Sequence, residues 1–156
     1  MNQEIERKFL VNGDFKKFAI KKHEIAQGFL STVPERTVRI RIKDQQGFIT
    51  VKGIGNASGA SRFEWEKEIS ADEAKSLLAI CEPTIIKKIR YIIPTSNNLF
   101  FEVDEFLDEN KGLLIAEIEL PTESTLFDKP SWMGKEVTGA SKFYNSSLAK
   151  KPYSNW

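Results

Sequence analysis

Long hydrophobic runs are missing from this chain of 156 residues: no stretch approaches the roughly 20 consecutive apolar residues that a membrane-spanning helix requires. Cysteine and histidine are nearly missing as well. The lone Cys81 excludes an intrachain disulfide and is expected to be buried packing. The lone His23, beside Lys21, Lys22 and Glu24, reads as a solvated loop position, and no metal site is assigned to it. An excess of either charge is also absent. With 23 Lys and Arg against 22 Asp and Glu the net charge is +1, so the bulk balance calls for neither nucleic acid nor membrane as a partner, and the charges must be read by position. The residues ahead of the first strand include no hydrophobic signal region, from which a cytoplasmic location is expected. No internal repeat, low-complexity tract or linker divides the chain, and its length suits one domain over 1–156.

What the chain does have is same-sign charge at period two. In Glu4-Ile5-Glu6-Arg7-Lys8 an extended backbone puts Glu4, Glu6 and Lys8 on one face. The pattern returns in Val38-Arg39-Ile40-Arg41-Ile42, Phe63-Glu64-Trp65-Glu66, Lys88-Ile89-Arg90, Glu102-Val103-Asp104 and Glu117-Ile118-Glu119. One such strand is an ordinary solvent face. Repeated like charges along a face repel one another, and a bound ligand is a reason to keep them together. Carboxylate pairs are hard oxygen ligands for Mg²⁺ or Mn²⁺, whereas Arg and Lys pairs donate to phosphate oxygens. Both together point to a polyanion carried with its metals.

Alternation and β-branched content predict eight strands, near 3–11, 25–32, 37–44, 47–53, 62–69, 85–93, 98–107 and 113–120. Turns are expected at Gln45-Gln46-Gly47, Ser96-Asn97-Asn98 and Asp108 to Gly112, making the sheet an antiparallel meander. Helices are expected from Asp14 to about Lys22, from Ser70 to about Cys81 with Ser70 and Glu73 in capping-box spacing, and from about Ser141 to Lys150. The Gly-rich run from Gly53 to Ser61 lacks the Lys-Ser/Thr ending of a phosphate loop and reads as a connection between strands. Trp132 is expected to seat the closing segment by packing.

Two orientations are compatible with this alternation. Either the apolar faces (Ile5, Phe9, Ile40, Val103, Ile118 and their neighbours) fill a barrel and the charges meet water, or the apolar faces lie outward under the helices and the charges line the bore. In the second case the lumen must be wet, ion-paired or ligand-filled, because each unpaired buried ion costs several kcal/mol. Three helices would leave some apolar faces for loops or for a second subunit in a homodimer.

The order Glu4-x-Glu6-x-Lys8, Arg39-x-Arg41, Thr50-Val51-Lys52-Gly53, Arg62-x-Glu64-x-Glu66, Lys88-x-Arg90, Glu102-x-Asp104, Glu117-x-Glu119 and Trp132 to Thr138 resembles the CYTH superfamily, the triphosphate tunnel metalloenzymes, over nearly the whole chain. The resemblance implies an α+β fold: an eight-stranded antiparallel closed β-barrel, or tunnel, with a charged interior and a few covering helices. It implies a Mg²⁺- or Mn²⁺-dependent hydrolase acting on a triphosphate-containing small molecule, foremost inorganic tripolyphosphate. Thiamine triphosphatase, adenylate cyclase and a non-catalytic polyphosphate- or nucleotide-binding module are the alternatives. By the same resemblance Glu4, Glu6, Asp104, Glu117 and Glu119 hold metal, and Lys8, Arg39, Arg41, Lys52, Lys88, Arg90 and Lys142 hold phosphate. Lys8, Glu6 and Glu119 are the catalytic candidates, with Lys8 either stabilising charge or accepting a proton. Glu64, Glu66 and Glu102 keep open roles.

Overall fold

The computed structural model describes residues 3–156, and its strands close into an antiparallel ring. The strands are β1 (Gln3–Val11), β2 (Lys21–Ser31), β3 (Thr37–Lys43), β4 (Gln46–Lys52), β5 (Ser61–Ile69), β6 (Glu82–Pro94), β7 (Phe100–Phe106) and β8 (Leu114–Glu119), with a short ninth, β9 (Met133–Glu136). Around the ring the order is β5-β4-β3-β2-β6-β7-β8-β1, and the pairing of Gln3, Glu4 and Ile5 with Phe63, Arg62 and Ser61 closes it.

This is not the simple meander expected. Strands β2 to β5 and β6 to β8 are two meanders, and β1 lies across the ring from β2 with three strands between them on either side. The connection between them crosses the outside of the barrel, with Phe15 buried against Tyr91 and Trp132. It contains only a 3₁₀ turn, Lys16–Phe18, where a helix to Lys22 was expected. The physical reason is that the amide of Ile20 bonds the carbonyl of Ile92 and Lys21 pairs with Ile92, so edge pairing to the long β6 outweighs a weak local helix preference. His23 consequently lies within a strand, its Nδ1 2.7 Å from Asp44 Oδ2, and not in a loop. The β3–β4 hairpin turns one residue earlier than expected, at Asp44-Gln45, with Asp44 in the left-handed region at φ 56°.

Strand β9 escaped the sequence reading. It occupies the edge of β1 that β5 leaves, with Phe9 opposite Glu136 and Val11 opposite Met133. Arg7 grips Glu136 through Nε and Nη2 at 2.8 and 2.7 Å, and Thr138 Oγ1 accepts the Lys8 amide at 2.9 Å. The Trp132 to Thr138 segment therefore holds β1 in place.

Helix α1 (Ala71–Leu78) starts at a complete capping box, Ser70 with Glu73, and lies on the outside of β3 and β4. Ala74 is fully buried over Gly47, where an added Cβ would come within 2.8 Å of the Ala74 methyl; glycine there permits the close approach. Helix α2 (Asn145–Lys150), shorter than expected and preceded by a 3₁₀ turn at Ser141–Phe143, packs on β6 and β2.

Two apolar clusters result. The outer one joins Phe9, Tyr91, Ile93, Phe101, Val103, Ile118 and Trp132 beneath the chain crossings. The other sits inside: Phe29, Ile86, Phe106 and Ile115 point inward at one end of the bore and meet Leu148 and Ala149 of α2. The barrel is thus plugged at one end and polar along the rest. Phe63 and Trp65, on the outer face of β5, stay 51% and 39% exposed, as expected where helices are too few.

Candidate active site in the tunnel

The inward positions of the strands enclose a cavity of about 210 Å³. All the expected site residues border it except Asp104 and Lys142. Lys142 is exposed, and its ammonium stacks on Trp156 with 4.3 Å to the ring centroid, outside the tunnel. The helical turn that carries Lys142 faces away because Phe143, next in sequence, takes the inward position in the plug.

Ring order sorts the charges into arcs. Lys52 on β4, Arg39, Arg41 and Lys43 on β3, and Lys88 and Arg90 on β6 form a basic arc around β2, which gives the lining only Phe29. Glu102 on β7, Glu117 and Glu119 on β8, Glu4 and Glu6 on β1, and Glu64 and Glu66 on β5 form the acidic arc facing it. Lys8 and Arg62 are the cations set within the acidic arc.

Not every carboxylate is free. Asp104 is 1% exposed; its two oxygens accept from Arg90 Nε and Nη2 at 2.8 and 2.9 Å, and Lys88 Nζ lies 2.8 Å from Oδ2. It therefore anchors two lumen-facing cations from behind and has no oxygen left for the lumen. Glu4 is similarly spent: Lys52 Nζ bonds both of its oxygens at 3.0 Å and Arg62 Nε lies 3.4 Å away. Although burial pushes the Glu4 carboxyl up, the Lys52 charge, a hydrogen bond with Glu64 and the Arg62 charge together outweigh it and hold it down at about 2.

Glu6 and Glu119 face each other across the β1–β8 ladder, and among the described residues neither has a cation within 4.0 Å. Burial and then the neighbouring Glu117 and Glu4 push Glu6 up to about 8, and burial with Glu4 and Glu102 raises Glu119. Glu117 lies between the classes, 3.2 Å from Arg90 Nη2 and 3.6 Å from Lys8 Nζ. Burial and Glu4 raise Glu64 to about 7 beside Lys52, 3.2 Å away. Glu66 accepts from Thr50 Oγ1 at 2.7 Å and lies 3.5 Å from Arg39 Nη2. Glu102 lies 3.4 Å from Arg90 Nη1.

Two observations mark the cavity as made for a ligand. Glu6 and Glu119 gather negative charge that a cation would relieve, and Arg39 Nε is buried with no acceptor among the described residues. Among the described residues, no three acidic, cysteine or histidine side chains form a ready-made ion cage. Mg²⁺ suits that arrangement, because it is held through one or two carboxylates and completes its shell with water and substrate phosphates.

Sequence reasoning missed several lining residues. Arg62 continues the Glu64 and Glu66 alternation and was legible in it. Tyr144 and Asn145 come from the closing segment and gave no periodic signal. The Tyr144 ring lies under Lys8 Nζ, 4.9 Å from its centroid, and Arg62 Cζ, 5.6 Å from it. Beyond Arg62 and Tyr144 a neighbouring cavity of about 400 Å³ is lined mainly by hydroxyl residues and glycines, with Ile54 and Lys150 and, among the described residues, no carboxylate.

A closed antiparallel barrel whose lumen is lined by facing basic and acidic arcs defines the class, a tunnel lined with charge. The chain belongs to the CYTH domain family, whose profile matches residues 2–152. It is 45% identical to an inorganic triphosphatase of Acetivibrio thermocellus, covering 100% of this chain and 99% of that protein. It is 33% identical to an inorganic triphosphatase of Nitrosomonas europaea, covering 94% and 96%. A solved inorganic triphosphatase structure superposes with a TM-score of 0.67 at 29% identity, over 94% of this chain and 97% of that one.

Proposed function

We propose that this chain, acting as one CYTH unit, hydrolyses inorganic tripolyphosphate with Mg²⁺ or Mn²⁺ and releases orthophosphate. The observation that carries this reading is the pair of facing arcs: the basic arc would bind a phosphate chain and the acidic arc would hold its metals. The cavity volume of about 210 Å³ falls below the roughly 300–1,000 Å³ typical of pockets for larger organic ligands, which favours a small inorganic anion. The two curated relatives of the same name support it.

Glu6 and Glu119, with Glu117, would hold the divalent ion, which when bound supplies positive charge at the phosphate oxygens and at the attacking water. Arg39, Arg41, Lys52, Lys88 and Arg90 bind and orient the chain, and their fixed donors stabilise charge as it develops on the terminal phosphoryl group. Asp104 and Glu4 act through these cations, holding Lys88, Arg90 and Lys52 in position. Lys8, between Glu117 and Tyr144, steadies the terminal phosphoryl group at the acidic arc. Glu64 and Glu66 orient Lys52 and Arg39.

The 400 Å³ neighbouring cavity carries a second reading, a triphosphate monoester whose organic group occupies it. Phosphate release measured for tripolyphosphate, thiamine triphosphate and ATP under one Mg²⁺ condition decides between them. Fastest turnover of tripolyphosphate, lost on adding EDTA, is the expected result. Full turnover in EDTA would defeat the metal-dependent reading, and preference for an ester would transfer support to the second one.

A further inference from the structure

Asn145, the first residue of α2, borders the lumen, and its side chain is oriented without ambiguity. Its Oδ1 accepts from Lys88 Nζ at 2.8 Å and from Gln27 Nε2 at 2.6 Å. Gln27 Oε1 in turn accepts from Arg41 Nε at 2.8 Å. An ammonium and a guanidinium can only donate, so Lys88 dictates which atom of the Asn145 amide is oxygen and Arg41 does the same for Gln27. Both assignments agree with the Gln27–Asn145 bond. One carbonyl oxygen from outside the ring therefore fixes cations on two strands that are not neighbours, β3 and β6.

Among the described residues, the other half of that amide, Nδ2, has no protein acceptor. We infer that Asn145 donates from Nδ2 to a phosphate oxygen of the bound chain while its carbonyl positions Lys88 and, through Gln27, Arg41. The inference rests on the reading of the lumen as a polyphosphate site. Chemistry explains why an amide stands there. Lys88 already shares Asp104, and a second carboxylate would cancel its charge and repel phosphate, whereas an amide orients it and adds a neutral donor. Anchoring α2 does not require it, since Leu148 and Ala149 already bury against the plug.

The test compares wild type with Asn145→Asp and Asn145→Ala in Mg²⁺-dependent release of phosphate from tripolyphosphate, beside thermal unfolding without ligand. Asn145→Asp keeps acceptors for Lys88 and Gln27 but replaces the donor with a negative charge. Its unfolding transition should stay close to wild type while KM rises by about tenfold or more, with a smaller change in kcat. Asn145→Ala should raise KM and lower kcat together, because Lys88 and Arg41 lose their guide. A KM for Asn145→Asp within about twofold of wild type would overturn the inference. So would lowered unfolding temperatures in both variants with KM unchanged, the signature of a purely structural residue. Should wild type release no phosphate, the functional reading fails separately, and calorimetric binding of tripolyphosphate decides the role of Asn145: equal affinity in wild type and Asn145→Asp overturns it.

Discussion

Substituting Glu6 by Gln should make the metal-free protein more stable and the enzyme inactive, because the charge that the metal needs is one that the empty fold resists. Burial and the carboxylates of Glu117 and Glu4 move Glu6 from 4.5 to about 8. At about 1.4 kcal/mol per pH unit, that displacement corresponds to on the order of 5 kcal/mol as an upper bound. Counterions and water entering the open bore screen much of it, leaving about 1–3 kcal/mol, or roughly 3–10 °C in unfolding temperature at this chain length. The sign follows from linkage. Glu6 holds its proton more tightly in the fold than in the unfolded chain, so its contribution is fully present below about pH 4.5 and is withdrawn as pH climbs through about 8. Thermal unfolding in EDTA at pH 5 and pH 9 is the assay. Wild type and Glu6→Gln should unfold at similar temperatures at pH 5, and the variant should lead at pH 9. Adding Mg²⁺ should raise the wild-type transition and not the variant's, while phosphate release by the variant falls by about 100-fold or more. A variant that is less stable at both pH values, with a gap that does not widen as pH rises, would refute the claim that Glu6 sits in uncompensated negative charge.

Two further outcomes separate the outer core from the bore. Trp132→Ala removes a side chain that is 2% exposed and packed edge-on against Phe101 at 5.3 Å, and should cost about 3–5 kcal/mol in denaturant unfolding. Lys142→Ala should leave KM for tripolyphosphate unchanged, since its ammonium stacks on Trp156 outside the tunnel; a severalfold increase would return it to the substrate-binding set.

Much of the candidate site was legible because strand alternation is local. Backbone stereochemistry alone sends Arg39 and Arg41, or Glu117 and Glu119, to one side, and no other part of the chain has a say. The α1 capping box was legible for the same reason: Ser70 and Glu73 complete it within one turn. The 3₁₀ turn at Lys16–Phe18 and strand β9 were not, since each depends on an edge supplied from far away, β6 in one case and β1 in the other. The roles of Asp104 and Glu4 were also hidden. Spacing makes them equivalent to Glu6 and Glu119, and only the closed barrel shows that Arg90 and Lys88 from the neighbouring β6, and Lys52 reaching past β5, have already claimed them.

By itself, then, the amino-acid order determined which side chains share a face and roughly where eight of the nine strands run. The tertiary structure alone decided that β4, β3 and β6 stand together as a basic arc opposite β7, β8, β1 and β5, that Phe29, Ile86 and Phe106 plug one end, and that Asn145 reaches Lys88. The reason is that a residue's facing is fixed by its immediate backbone, whereas which strands become neighbours is settled by burying the apolar surface of the whole chain at once.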